Sequence, residues 1–307
     1  MDVSYRQLKA FIHLVEIGSM TAAAEAVHLS QSALSQIVKR LEEQLNSQLL
    51  LREKRQLILT PAGEALYREA RIIVNRLERL RAENDLQAQG KRPPFRIATL
   101  YTTAPLVTES LPDLLRQLPD LPLELEEIGS LPLSMVLSKG EFDIAVSTAP
   151  FDASYHFIPL YRDFIGLYCH RDHPLACQAS ISWEQAAQAA NIGVPPDNNL
   201  RLHAEHTFTQ LGIHYQPGIT VAQPSTMLGM LRAGMGAALL SSTFAYCQPL
   251  GDIVFVPVAE PREYRTLGLL LGAHVARDDH RVQVFSQVFR EHLLRAAALR
   301  ENAIMLL

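Results

Sequence analysis

The side chains best placed to do chemistry lie in residues 19–45, a stretch that reads as two short helices joined by a polar turn. Apolar residues recur at helical spacing in its second half and must face a core. The opposite face is polar and carries Gln31, Ser32, Ser35, Gln36, Lys39 and Arg40. Hydroxyl and amide groups suit base edges in a major groove, and cations suit phosphates. The alternative is an ordinary amphipathic helix with a solvated face.

The surrounding sequence supplies elements that would hold this helix. Ser30 stands where its hydroxyl can cap the second helix. Residues 5–17 place apolar side chains at offsets of three, four and seven, which predicts one more helix. Two apolar runs flank residues 53–55, a pattern typical of a short β-hairpin with a basic tip. We therefore expect three helices around one core and a wing, with Arg52 and Arg55 near phosphates.

At these motifs the chain resembles the LysR-type transcriptional regulators. The resemblance rests on the runs AAAEAVHLSQSALSQIVKRLEEQL, LLLR and LTPAGEAL, and it extends over the whole chain in length and layout. It implies a winged helix-turn-helix DNA-binding domain at residues 1–60, a linker helix for dimerisation at 61–92 and an effector-binding domain at 93–307. Ser32 and Leu50 stand where these proteins often carry proline and phenylalanine, and the first departure bears on the groove contact.

Bulk composition agrees with a two-part soluble protein. The chain has 307 residues, 48% of them hydrophobic and 20% charged, with a net charge of −4. Residues 1–92 hold fourteen Lys and Arg against eleven Asp and Glu, so the basic excess lies where the DNA-binding head is predicted. No basic and apolar leader is visible, and no apolar run approaches the ~18 residues of a membrane helix. Three cysteines fit a reducing compartment, so we expect a cytoplasmic protein without membrane contact.

A long helix is predicted to follow the wing. Thr60 and Pro61 suit its first turn, and apolar residues then follow in alternating steps of four and three. This predicted seam comprises Leu66, Ala70, Ile73, Leu77 and Leu80. A lone helix lying on its own domain would give the same pattern. The family resemblance implies dimerisation here and a homotetramer built from two dimers. The basic and proline-rich residues 91–94 predict the domain boundary.

The remaining sequence alternates apolar runs with helical patterns. Strands are predicted at residues 95–100, 121–128, 142–147, 165–169, 218–222, 237–240 and 267–271. Helices are predicted at residues 104–118, 133–139, 183–190, 200–211, 227–233 and 282–299. Such alternation predicts parallel sheets covered by helices. The resemblance implies a type II periplasmic-binding-protein-like fold with two α/β subdomains, at 95–164 with 267–300 and at 165–266, and a hinge between them.

Ligands of open α/β sheets bind beyond the carboxyl ends of strands, near helix N-termini that favour anions. The polar residues predicted there are Thr102, Thr103, Ser130, Thr148, Asn199 and Gln223, and Arg201 is a further candidate counter-charge. These positions match the family's effector pocket and suit a small carboxylate, amino acid or similar anion. Each residue could instead be a simple helix cap. The resemblance implies double-stranded DNA and a small-molecule effector as partners, allows RNA polymerase as another, and calls for no cofactor.

Three other classes of function compete with this interpretation. A metal sensor could use Cys169, His170 and His173, or His203 and His206, although four ligands at clear spacing are absent from the sequence. A thiol sensor could use Cys169 and Cys177, but the peroxide-sensing relatives carry their reactive cysteine where this chain has Asn199. An enzyme would need a nucleophile elbow, a phosphate loop or a zinc helix, and the sequence has none of these motifs. An architectural DNA-binding protein would not need the large second domain.

Overall fold

A computed structural model describes residues 3–53, 56–129, 140–149, 156–247, 250–272, 274–299 and 304–307 of the chain. The chain divides into two units at the junction of Pro93 and Pro94. In the described part of the chain, no helix combines the length and the apolar character needed to cross a membrane.

Three helices form the core of the first unit: α1 (Tyr5–Ile17), α2 (Met20–Ala26) and α3 (Gln31–Leu45). Each begins after a serine whose hydroxyl accepts a backbone N–H from the first turn, at Ser4, Ser19 and Ser30 respectively. The inner faces bury Phe11, Leu14, Leu34 and Leu41 completely. The predicted helical head is therefore confirmed, and apolar periodicity explains which face each helix buries.

A two-stranded wing follows the helices. Strands β1 (Leu50–Glu53) and β2 (Gln56–Leu59) pair antiparallel, with Leu50 opposite Leu59. Glu42, near the end of α3, accepts the backbone N–H groups of Leu49 and Leu50 through Oε1 at 2.8 and 3.3 Å. One carboxylate thus ties the start of the wing to the helix beside it.

The long helix α4 (Pro61–Ala88) begins against the wing. The Thr60 hydroxyl accepts the N–H of Gly63 at 3.0 Å and donates to the Gln48 carbonyl at 2.6 Å. A Cβ atom added at Gly63 would lie 2.1 Å from the Leu49 carbonyl oxygen. Only glycine therefore lets the first turn of α4 approach the backbone at the start of the wing so closely.

The predicted seam on α4 has two parts. Ala70 is fully buried within its own chain, where it packs in a cluster with Leu8, Ile12 and Val74, and Leu66 packs against the same cluster. The prediction that Ala70 is a dimer contact is wrong, because no surface of it remains for another chain, and Leu66 also serves mainly the chain's own core. Ile73, Leu77 and Leu80 are exposed, by 45%, 47% and 55%. The part of the seam that a partner could cover begins at Ile73.

The second unit contains ten strands and six helices in its described part. The strands are β3 (Phe95–Leu100), β4 (Leu123–Ile128), β5 (Ile144–Thr148), β6 (Phe157–His170), β7 (Ile192–Gly193), β8 (Ile219–Thr220), β9 (Ala237–Ser241), β10 (Ile253–Pro257), β11 (Tyr264–Leu271) and β12 (Met305–Leu306). The helices are α5 (Ala104–Gln117), α6 (Trp183–Ala189), α7 (Asn199–Gln210), α8 (Pro224–Arg232), α9 (Ser242–Cys247) and α10 (His280–Leu299).

Strand β6 runs through two lobes. Its first half, up to Phe164, pairs with β11 in a lobe ordered β4-β3-β5-β11-β6, and β12 pairs with its other edge. From Ile165 onward it pairs with β9 and β10 in the second lobe, where β7 and β8 follow β9. Separate apolar clusters fill the lobes, around Phe285 and Phe289 in the first and around Trp183 and Phe208 in the second. The predicted two-lobed α/β fold is confirmed.

The sheets are mixed rather than parallel, which corrects the expectation from the sequence. β3, β4 and β5 run parallel, as do β7, β8 and β9, but β6 and β11 pair antiparallel with every described neighbour. The chain crosses between the lobes along β6 and returns just before β11. These two strands therefore run antiparallel to the strands that helices connect to one another. The expected crossing near Phe164 agrees with the change of pairing at that residue, and β11 begins at Tyr264, three residues before the predicted strand.

Several elements escaped prediction from the sequence. The first half of β6 and the strands β7, β10 and β12 are short or irregular in pattern, and α9 follows β9 without a break. The predicted helix at 133–139 lies outside the described residues.

Candidate functional site

The polar face of α3 is accessible in the first unit. Gln31, Ser32, Gln36 and Arg40 are exposed, and Ser35 is half-buried. The Ser30 hydroxyl accepts the Ala33 N–H at 3.1 Å and lies 3.0 Å from the Ser32 hydroxyl, so the cap orders the first turn. The predicted base-reading side chains therefore share one open face of a capped helix.

Lys39, a cation on this face, is not committed to a strong ion pair. Lys39 Nζ lies 3.8 Å from Glu43 Oε1, with side chains 78% and 62% exposed. An exposed pair at that distance contributes little and leaves the ammonium available. The side chain of Arg52, on β1, and all of Arg55 lie outside the described residues. A shallow recess separates α3 from the wing and is lined by Met20, Ser35, Val38, Lys39, Glu42, Leu50 and Leu57.

The second unit contains a cleft between its lobes. About 560 Å³ of space, including the part open to solvent, lies between the lining side chains, and water-sized molecules can centre in about 50 Å³ of it. The lining residues are Leu100, Tyr101, Thr102, Ile128, Val194, Asn198, Asn199, Leu200, Ala222, Pro224, Met227, Leu240, Ser241 and Arg265. Most of them are apolar, which is usual for a small-molecule site with a few orienting polar groups.

Four of the predicted polar residues lie at or beside this cleft. Thr102 and Asn199 line it, and the Asn199 amide donates to the Thr148 hydroxyl of the other lobe at 3.5 Å. The Gln223 amide donates to the Tyr101 hydroxyl at 3.3 Å, also from one lobe to the other. These long hydrogen bonds join the two lobes beside the cleft, so Thr148 and Gln223 border the space rather than line it.

Two of the other predictions meet the structure differently. Thr103 is fully buried, and its hydroxyl lies 2.8 Å from that of Thr99 and donates to the Leu100 carbonyl at 3.2 Å. The prediction that Thr103 contacts an effector is therefore wrong, because its hydroxyl is used inside the first lobe. Ser130 lies outside the described residues.

The predicted counter-charge was placed on the wrong arginine. Arg201 pairs with Glu205 at 2.7 Å and donates to the Val194 carbonyl at 3.0 Å, and it is not among the lining residues. Arg265 lines the cleft instead and is 8% exposed. Its Nε and Nη2 atoms donate to the two oxygens of the fully buried Asp163 at 2.9 and 2.6 Å. Arg265 stands opposite Asp163 on β11 and β6, a pairing that the sequence does not reveal.

Ser241 is a second lining residue that sequence reasoning did not select. It ends β9 and is fully buried, and its hydroxyl has no hydrogen-bond partner within the described ranges. A buried hydroxyl without a partner is unusual and calls for a ligand or a water molecule. Its position at a strand end was a usable signal, because the strand-end rule that selected Thr102 applies equally to β9.

The cysteine and histidine candidates are not gathered into one site. Burial of Cys169 raises the pKa of its thiol to about 11, so the thiolate required for peroxide chemistry is scarce near neutral pH. Cys177 is exposed. His203 lies 3.6 Å from Glu263, while His206 contacts Gln210 at 2.9 Å. No group of three or more potential metal ligands occurs among the residues that the structure describes.

An open polar helix face beside a wing, together with a cleft between two α/β lobes, defines a DNA-binding regulator with a ligand-binding domain. Family models agree with both parts. The model described as "Bacterial regulatory helix-turn-helix protein, lysR family" matches residues 5–64, and that described as "LysR substrate binding domain" matches residues 88–294. The chain belongs to the LysR family of DNA-binding transcriptional regulators.

Individual relatives cover nearly the whole chain. YnfL of Escherichia coli, an uncharacterized HTH-type transcriptional regulator, is 27% identical over 303 residues, covering 96% of this chain and 99% of the relative. The hydrogen peroxide-inducible genes activator of Dickeya chrysanthemi is 26% identical over 271 residues, covering 87% and 89%. Full-length CbnR complexed with its target DNA has a TM-score of 0.58 at 21% identity, covering 96% of this chain and all of that one (100%). This last likeness concerns the fold.

Proposed function

We propose that this regulator reads specific promoter DNA with the exposed face of α3 and is controlled by a small organic anion bound in the cleft of its second unit. It acts in the cytoplasm as a homotetramer built from two dimers, without a resident cofactor or catalytic activity. The observation that carries the proposal is the combination of an open polar helix face with a separate, mostly apolar cleft. The relatives named above are transcriptional regulators, which supports it.

On DNA, the proposed division of labour follows side-chain chemistry. Gln31, Ser32, Ser35 and Gln36 contact base edges, and Lys39, Arg40, Arg52 and Arg55 contact phosphates. Lys39→Ala should then weaken binding to selected and random duplexes alike and lower the slope of log affinity against log salt by about 0.9. Lys9→Ala is the matched control, because Lys9 lies on α1 and is paired with Glu78 at 2.6 Å. Equal slopes for the two variants would refute the phosphate role of Lys39.

Gln31 tests the base contacts separately. Duplexes selected from a random pool by the parent protein and by Gln31→Ala should differ at one or two positions, because a base contact affects some sequences more than others. A uniform loss of affinity on all duplexes, with the same selected motif, would contradict the proposed role.

Dimerisation is proposed through the exposed part of the seam, Ile73, Leu77 and Leu80. Leu77→Glu places a charge in that interface and should shift the protein toward monomers in sedimentation velocity. Leu211→Glu is the control, since Leu211 is similarly exposed at 42% but lies in the second unit. If both variants sediment like the parent, α4 is not the dimer contact.

The effector is sought with the full-length protein by thermal shift against small carboxylates, amino acids, sugars and phosphates. A ligand of the native state raises the unfolding midpoint, and at concentrations above Kd the rise grows with the logarithm of the ligand concentration. A compound that raises the midpoint and also changes DNA affinity would support the proposal. Binding that never alters DNA affinity would contradict control by this cleft.

A further inference from the structure

Two polar residues of the cleft, Ser241 and Arg265, lie on strands next to β6, which connects the lobes. Asp163 binds Arg265 through both oxygens and also accepts the Thr243 hydroxyl at 2.9 Å. Thr243 lies two residues after Ser241, and Ser241 is opposite Ile165 on β6. Ser241 and Arg265 thus lie on the two strands that flank β6, opposite Ile165 and Asp163 respectively, and both residues line the cleft.

Arg265 keeps donor capacity beyond its ion pair. The contact with Asp163 uses Nε and Nη2, while a guanidinium carries five N–H groups in a planar fork. Asp163 balances its charge, so the pair brings no net charge to the cleft, and its remaining N–H donors suit a singly charged acceptor better than a doubly charged one. Within the described ranges Arg265 is the one cationic side chain of the lining, whereas a phosphate dianion favours several cationic donors.

The Ser241 hydroxyl is available for a hydrogen bond to a ligand in the same cleft. It is fully buried and has no partner in the described part of the protein. Ser147 has the same chemistry and burial, yet it lies on β5 and is not among the lining residues. The two serines thus differ mainly in whether the cleft can supply a partner.

The rest of the lining restricts the ligand further. Among the residues that the structure describes, no aspartate or glutamate lines the cleft, so these residues offer an ammonium group no counter-ion. The space open to the centres of water-sized molecules, about 50 Å³, corresponds to roughly four water molecules. Leu100, Ile128, Met227 and Leu240 offer an apolar surface to the remainder of the ligand.

We propose that Ser241 and Arg265 form the anion-recognition end of the cleft and that the effector is a small monocarboxylate with an apolar body. The carboxylate accepts hydrogen bonds from the Ser241 hydroxyl and from the free edge of the Arg265 guanidinium, and the apolar body contacts the aliphatic lining. This inference rests on the proposed function and specifies the ligand class and the residues that select it.

The test uses the full-length protein with matched probes. Butanoate, 3-methylbutanoate, cyclohexanecarboxylate and benzoate are each compared with the corresponding primary amide by thermal shift and calorimetric titration. At least one carboxylate should bind about tenfold more tightly than its amide, since a charge-assisted contact is lost. Ser241→Ala should weaken that carboxylate by about tenfold, whereas Ser147→Ala should leave its affinity within about twofold.

Each other outcome overturns the inference. Equal binding of carboxylate and amide would exclude the anion-recognition role. Equal affinity of the two serine variants for the carboxylate would exclude Ser241 as a ligand contact. A response only to phosphates, amino acids or sugars would refute the ligand class while leaving an effector-controlled regulator in place. If none of these probes binds, the inference fails, and DNA selection shows separately whether the regulator function stands.

Discussion

The DNA-facing surface and the effector cleft use similar residue types in opposite environments. On α3, Lys39 is 78% exposed and stands 3.8 Å from Glu43, in water and dissolved salt. In the cleft, Arg265 contacts a fully buried Asp163 at 2.6 Å. An exposed charge contributes little to folding and stays free for a polyanion, whereas a buried charge must be paired. The comparison teaches that the first surface can change without cost to stability, and the second cannot.

The two regions also differ in how far they are preformed. One capped helix, α3, carries all the side chains proposed to contact bases, so these side chains keep their spacing in any arrangement of the rest of the protein. The cleft is formed by two lobes, and hydrogen bonds of 3.5 and 3.3 Å join the lobes beside it. Bonds this long are weak. A ligand can therefore alter the relation between the lobes without disturbing either core.

The largest expected effect tests the contrast in charge burial. Arg265→Met leaves Asp163 as an unpaired buried carboxylate, so the free energy of unfolding should fall by about 3–5 kcal/mol. Lys39→Met should stay within about 0.5 kcal/mol of the parent. Urea unfolding followed by fluorescence measures the first variant, since Trp183 is the single tryptophan and is buried in the second unit. Far-UV circular dichroism measures the second. Similar losses in the two variants would invalidate the comparison.

Gly63→Ala tests how closely the head is packed. The added methyl group would lie 2.1 Å from the Leu49 carbonyl oxygen, so we expect the free energy of unfolding of the head to fall by about 1–3 kcal/mol. The loss should appear in circular dichroism and DNA binding and should leave the Trp183 fluorescence transition in place. A matching shift of that transition would show that the two units do not unfold independently.

Gly229→Ala is the corresponding change in the second unit, and its effect on the free energy of unfolding should have the opposite sign. Gly229 lies within α8, and no atom comes within 4 Å of the position where a Cβ would stand. Because alanine loses less chain entropy in a helix, the variant should gain about 0.5–1 kcal/mol. The Trp183 fluorescence transition in urea measures the gain. Destabilisation would show that α8 requires its glycine for another reason.

The smallest effect concerns pH. Burial and the nearby Arg265 lower the pKa of His203 from its usual 6.5, against the opposing influence of Glu263 and Asp163. The unfolded chain then binds the proton more readily, so this contribution to stability is present above about pH 6.5 and is lost as the pH falls through the folded pKa. In His203→Gln, the decrease in thermal unfolding midpoint between pH 7 and pH 5 should be smaller than in the parent protein. His206→Gln, on the exposed side of α7, is the control, and an unchanged drop in His203→Gln would contradict the assignment.

The candidate cleft residues show where inference from the sequence succeeds. The rule that polar residues follow strand ends selected Thr102 and Asn199, which line the cleft, because each strand and the helix after it are contiguous in the chain. The same rule selected Thr103, whose hydroxyl turns into the first lobe instead. Neighbouring residues at a strand end point to different sides, and the sequence alone does not say which side faces the cleft.

By itself the sequence determined the helical head, the cap at Ser30 and the identity of the polar face, since each depends on spacing within one segment, while the two α/β lobes were implied by the family resemblance. Only the tertiary structure decided that Ala70 packs inside its own chain while Ile73 remains exposed. It also decided that Arg265 pairs with Asp163 and lines the cleft together with Ser241. The physical reason is that strand pairing brings together residues far apart in the chain, and the periodicity of a segment carries no information about its partners.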